Sequence, residues 1–162
     1  KWSEALGIYG NGSYQSDIVV GTQAKLGELR VLSILQKWSP LKSKAKAILR
    51  DAKKKTLEET LLMGAHVAQG DVELSSGNTK EAIYSYLRAA LQLHTSGDPS
   101  REHETALGRA SIACSRYATS LKDPEKKAEY QSIDGQLIGE LGRSYPGSPL
   151  LSRAQEELGK IR

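Results

Sequence analysis

Apolar side chains return along this chain every third or fourth position, and the strict alternation of a half-buried strand is absent. Leu41, Ala45, Ile48 and Ala52 form one such stripe. Ala106, Ala110, Ala113, Tyr117 and Leu121 form another, and Leu151, Ala154, Leu158 and Ile161 a third. The pattern predicts helices over residues 1–9, 14–36, 40–54, 57–75, 79–95, 99–121, 124–144 and 149–161. Ser39-Pro40, Asp98-Pro99, Asp123-Pro124 and Ser148-Pro149 each set a capping side chain before a proline. The cap oxygen satisfies an orphan N–H, and proline at the first helical position has none to lose. Thr56 with Glu59, and Asn78 with Glu81, read as capping boxes. Gly10-Asn11-Gly12, Ser76-Gly77, Ser96-Gly97 and Pro146-Gly147 read as breaks. Linkers this short make neighbouring helices antiparallel. The fold class expected is all-α.

The chain also repeats itself. Trp2-x-x-Ala5-x-x-x-Tyr9 is echoed by Trp38-x-x-Leu41-x-x-x-Ala45, then by Thr79-x-x-Ala82-x-x-x-Tyr86-x-x-Ala89, and more loosely around Ala128. The anchors Ala5, Leu41, Ala82 and Ala128 are 36, 41 and 46 residues apart. Periods in this range mark stacked helix pairs, because one pair cannot bury its own apolar face and needs a neighbour.

Gly70-x6-Gly77-x4-Ala82-x3-Tyr86-x2-Ala89 resembles the tetratricopeptide repeat: small residues in and after a first helix, then Ala, aromatic and Ala in a second. Leu26-Gly27 and Leu107-Gly108 look like that family's first-helix pair, whose missing side chain lets helices approach closely. The middle repeat carries Gln69 where the family has leucine, and the anchor spacings exceed its period of about 34 residues. Tyr145-Pro146-Gly147-Ser148-Pro149-Leu150 is similar to the repeat junctions of bacterial periplasmic and envelope members.

The resemblance implies a right-handed α-solenoid of irregular repeat length, one domain over 1–162, standing within a longer array or assembly. Residues 1–9 read as the second helix of a pair, and open solenoid ends invite self-association. The resemblance also implies a concave groove lined by first helices, in which a partner peptide or helix lies. Counted from the glycine anchors, the groove positions are Glu28, Asp71 and Arg109, with Val31, Leu74 and Ile112 one turn further. The subtype that clamps a C-terminal carboxylate needs Lys and Asn where this chain has Ala24 and Glu28, so that specificity is not implied.

Composition sharpens this in one place. The 162 residues are 38% hydrophobic and 26% charged, as in a packed protein. No apolar run reaches the roughly 18 residues of a membrane span. The chain opens at Lys1-Trp2 with no basic-then-apolar leader. The formal net charge of +4 is concentrated: residues 37–55 hold eight basic residues and one acid, while the remainder is net negative. Lys42, Lys46, Arg50 and Lys53 follow helical spacing as one stripe. That stripe reads as a solvated helix face, as a site for an acidic protein, or as a site for nucleic acid or an anionic membrane surface. No aromatic residue is interleaved with it, which disfavours base stacking.

Catalytic patterns are scarce. There is no G-x-x-x-x-G-K-[ST] loop and no H-E-x-x-H, and Gly7, Gly10 and Gly12 lack the spacing of a dinucleotide fingerprint. His66, His94 and His103 fall on three different helices and read as solvated or helix-face residues, so no metal site is expected. Cys114, the single cysteine, sits in an apolar stripe and reads as a small core residue. One thiol leaves the compartment open, periplasm or envelope or cytoplasm alike. Gly135, Gly139 and Gly142, each costly inside a helix, read as points of close helix packing, with a partner-facing surface as the alternative. The expected role is therefore a protein-binding scaffold, not an enzyme, with no cofactor. Binding of nucleic acid or an anionic surface through helix 40–55 is the alternative.

Overall fold

The computed structural model describes residues 1–17, 20–52, 57–92 and 100–160, and within them every regular element is a helix. Nine α-helices follow in order among these residues. They are α1 (Trp2–Tyr9), α2 (Gly12–Ser16), α3 (Gly21–Ile34), α4 (Trp38–Asp51), α5 (Glu59–Ser75), α6 (Thr79–Leu87), α7 (Arg101–Ser120), α8 (Pro124–Ser144) and α9 (Pro149–Gly159). A π-helical turn, Arg88–Gln92, continues α6. No helix of the described residues is long and apolar enough to cross a membrane.

Helix ends follow local chemistry, not always the chemistry expected. Asp123 accepts the N–H groups of Glu125 and Lys126 at 3.0 and 3.3 Å, and Ser148 accepts that of Leu150 at 3.1 Å, so both cap a helix whose first residue is proline. Asp98-Pro99, Ser96-Gly97 and Thr56 lie outside the described residues. Ser100 caps α7, accepting the His103 N–H at 3.1 Å. Three expectations are corrected. The helix over 14–36 is two helices: Asp17 adopts an extended backbone and its carboxylate accepts the Val20 N–H at 2.9 Å, a local bond that competes with the helical ladder. Helix α4 starts at Trp38, so Ser39 is helical rather than a cap, and Pro40 sits in a first turn where an N–H is not needed. The Asn78–Glu81 box does not close; the Asn78 amide donates to Glu73 at 2.9 Å and secures the end of α5 instead.

Two turns are built alike. Gln36 (φ 54°) and Gly77 (φ 81°) hold the left-handed conformation after α3 and α5. The next N–H in each returns to the helix, Lys37 to the Leu32 carbonyl and Asn78 to the Glu73 carbonyl, both at 2.9 Å. This is the Schellman closure. The 41-residue offset between the two turns also relates Leu41 to Ala82 and Leu29 to Gly70.

Packing is between neighbours in sequence. Helix α3 meets α4, α5 meets α6 and α7 meets α8. Each second helix also touches the next first helix, and α3, α5, α7 and α9 touch in series, while α1 lies on α3. Two apolar clusters result. Leu29, Leu32, Leu41, Ala45, Ala68 and Val72 form the first. The second is larger and runs from Met63 and Val67 through Ala82, Tyr86 and Ala106 to Leu137 and Leu141. Helix α5 contributes to both, which explains its burial on two sides.

Close approach occurs where glycine permits it. A Cβ on Gly70 would stand 2.6 Å from Tyr86 Cδ1, one on Gly27 would meet the Tyr9 ring at 2.6 Å, and one on Gly108 would meet Leu150 Cβ at 2.6 Å. The close packing expected along α8 is corrected. A Cβ on Gly135 or Gly139 would meet nothing within 4 Å, and one on Gly142 only Leu151 at 3.8 Å. The buried face of α8 is Tyr130, Asp134, Leu137 and Leu141, and the glycines fall one or two positions beyond it.

Candidate functional site

The strongest polar constellation centres on Asp71. Its carboxylate, 8% exposed, accepts from three other helices. Ser33 of α3 donates at 2.5 Å, Tyr86 of α6 at 2.8 Å, and Arg109 of α7 forms an ion pair with it. Burial works against the Arg109 charge, but the carboxylate outweighs it and holds the guanidinium above its ordinary value. Burial, and then the Asp71 charge, push the Tyr86 phenol far above its usual range, so it remains a hydrogen-bond donor. A second pair lies beside the first: Arg30 of α3 reaches Glu102 of α7, with Nε at 2.9 Å. That reach passes α5 where Gly64 offers no side chain; Leu26 fills the space.

These groups line a cleft in two parts. A cavity of about 100 Å³ is bounded by Arg30, Ser33, Ile34, Val67, Asp71, Glu102 and Arg109, among others. A wider opening of about 370 Å³ continues past Ser33, Asp71 and Arg109 to Leu74, Ile112, Arg116, Leu150 and Arg153. Four of the six expected groove residues, Asp71, Leu74, Arg109 and Ile112, are therefore brought together. Glu28 and Val31 are not. Glu28 faces the other side of α3, bonded to Gln15 and paired with Lys44 at 3.1 Å, and Val31 is 2% exposed in the interior. The cause is register. Gly27 is a packing site for Tyr9, not the counterpart of Gly70. By the 41-residue offset, Asp71, Leu74 and Ser75 correspond to Arg30, Ser33 and Ile34, and all three line the cleft. The spacing of Leu41 and Ala82 carried that signal in the sequence.

The basic stripe is a separate surface. Lys42, Lys46 and Arg50 are exposed on α4; Lys42 and Lys46 have no ion-pair partner among the described residues, and Arg50 has Asp51 at 3.9 Å. Lys53 lies outside the described residues.

The remaining reactive groups are interior. Cys114 is fully buried, and burial, then the nearby Asp134, push its thiol up to about 12. Asp134 is also fully buried and accepts from Ser111 and Ser115 of α7; burial raises its pKa against the lowering effect of those two hydroxyls. The expectation of solvated histidines is corrected at His103. It is 3% exposed, with Nδ1 at 2.9 Å from the Tyr145 hydroxyl and Nε2 at 3.1 Å from the Ala90 carbonyl. His66 is partly buried, and burial followed by Arg88 lowers its pKa; His94 lies outside the described residues. Among the described residues no three His, Cys, Asp or Glu side chains gather as a metal site. At the other end of the chain, α1 buries none of its residues and leaves Trp2, Ile8 and Tyr9 exposed by 53%, 59% and 37%.

No family model, no curated protein and no solved structure matches this chain.

Proposed function

We propose that the helix pairs stack as a right-handed α-solenoid of the tetratricopeptide type and that the chain is a binding scaffold, holding a segment of a partner protein in the cleft along its first helices. One observation carries the reading: residues from α3, α5, α7 and α9 meet on a single cleft, so one ligand can touch four helices that are far apart in sequence. The equivalent turns at Gln36 and Gly77, and the serial contact of the first helices, support the stacking. The ion pairs Asp71–Arg109 and Arg30–Glu102 fix part of the cleft lining before any ligand arrives, which lowers the ordering cost of binding. Ile34, Leu74 and Ile112 supply apolar contact beside these charges, the centre-and-rim composition of an interface. Binding rather than catalysis is favoured because the cleft's own acids are engaged with its own bases, and because the single thiol is deep in the core.

The test is a random peptide library displayed on phage and selected on the immobilised chain. Enriched peptides should lose binding to Ile34→Glu and to Leu74→Glu, and keep it on the Lys42→Glu, Lys46→Glu, Arg50→Glu variant. The reverse result moves the function to the anionic-ligand surface of α4.

A further inference from the structure

The wider part of the cleft has a sign. Its lining includes three arginines, Arg109, Arg116 and Arg153, and one acid, Asp71. The nearby carboxylates are already engaged: Asp71 with Arg109, and Glu157 with Arg116 at 3.3 Å. Arg153 is exposed and has no ion-pair partner among the described residues. Three aliphatic side chains from successive first helices line the same cleft and are less exposed than Arg116 and Arg153: Leu74 of α5, Ile112 of α7 and Leu150 of α9. The cleft thus joins a positive lip to an apolar floor.

We propose that the cleft takes an acidic protein segment that carries large aliphatic side chains; this rests on the scaffold reading above. The segment's carboxylates meet Arg153 and Arg116, and its aliphatic groups cover Leu74, Ile112 and Leu150. Guanidinium groups match carboxylates in a planar, two-bond geometry, which a lysine ammonium does not. Charge complementarity of this kind sets which partner is accepted and how fast it arrives, while the apolar floor supplies the buried centre. A nucleic-acid strand fits less well. Its phosphates would suit the arginines, but it asks for a row of exposed stacking rings; of the two rings on the lining, Tyr86 is fully buried with its hydroxyl bonded to Asp71, which leaves Trp38 alone.

The library selection above, read for composition, decides the matter. Enriched peptides should combine Asp or Glu with Leu, Ile or Met. Resynthesised and titrated by fluorescence anisotropy against the full chain, they should weaken about tenfold or more on Arg153→Glu and several-fold on Arg116→Gln. Arg153→Glu changes an exposed side chain with no ion-pair partner among the described residues, so the fold is expected to persist, and its circular dichroism checks this. Rising salt should weaken binding, and a glutamate homopolymer of equal charge should bind far less well. Basic or neutral peptides that still require Ile34 and Leu74 would overturn the acidic-partner inference and leave the scaffold reading standing. Acidic peptides indifferent to Arg153→Glu, or a homopolymer or oligothymidylate that binds as well, would also overturn the inference. Absence of any enrichment, or peptides indifferent to every cleft variant, would overturn the scaffold reading with it.

Discussion

Two glycines within helices, given the same added methyl group, should move stability in opposite directions. Gly139 lies on the exposed face of α8, where a Cβ meets nothing within 4 Å. Gly139→Ala therefore gains helix propensity alone, about 1 kcal/mol of stabilisation. Gly70 lies in α5 against the ring of Tyr86, which is fully buried. A Cβ at 2.6 Å from Tyr86 Cδ1 is far inside contact distance, so the ring must move. Overpacking of this kind costs about 1–3 kcal/mol. Moving the ring also strains the 2.8 Å bond from its hydroxyl to Asp71, and a bond to a charged group is worth about 1.5–3 kcal/mol. Set against the same propensity gain, Gly70→Ala should destabilise by about 2–4 kcal/mol. Urea denaturation followed by circular dichroism reads both. With a slope near 2 kcal/mol per molar, the midpoint should rise by about 0.5 M for Gly139→Ala and fall by about 1–2 M for Gly70→Ala. The cost of Gly70→Ala should shrink in a Tyr86→Leu background, where no ring has to move. A Gly70→Ala protein as stable as the parent would refute the packing of α6 on α5. A destabilised Gly139→Ala would mean that the outer face of α8 is covered.

Other changes probe the turns and the buried acid. Gln36 holds φ 54°, a conformation that costs a side-chain-bearing residue about 1–2 kcal/mol, so Gln36→Gly should raise stability by about 0.5–1 kcal/mol after glycine's own entropy cost; a lowered denaturation midpoint would contradict the left-handed turn. Asp134 has a raised pKa when folded, so the folded state holds its proton more tightly than the unfolded chain does. Its effect on stability is most favourable below the ordinary carboxylate pKa and is lost as pH rises through the folded value. Stability against pH for the parent minus that for Asp134→Asn should therefore fall across this window; a flat difference would refute the burial of that carboxyl on the two serine hydroxyls.

The helical class was legible because it rests on periodicity, and the stripes in α4, α7 and α9 bury Leu41 and Ala45, then Ala106, Ala110 and Ala113, then Ala154. Caps were legible where one side chain decides them, as at Asp123 and Ser148. They were misread where a second local bond competes: Asn78 reaches back to Glu73, and Asp17 ends a helix that its neighbours' propensities would have continued. The cleft was half legible. Asp71 and Arg109 follow glycines that do mark tight contacts, but Gly27 marks a contact with Tyr9, a different helix, and counting from it turned Glu28 and Val31 to the wrong side of α3. A glycine in the sequence does not state what comes close, and at Gly135 and Gly139 nothing does. The partners Arg30 and Glu102 stand 72 residues apart, and nothing local in either segment announces the other.

That long-range tie bears on how the molecule comes apart. In a row of helix pairs held only by adjacent contacts, the outermost pair can peel away while the rest persists, and melting spreads inward from the ends. Arg30 and Glu102 join the first pair to the third across the middle one, and Asp71 binds Ser33 on one side and Arg109 on the other. Loosening α3 therefore exposes charge on α7 as well as apolar surface on α5. The three pairs are therefore expected to open together, and amide protons in α3 should exchange with solvent on the same slow schedule as those in α7.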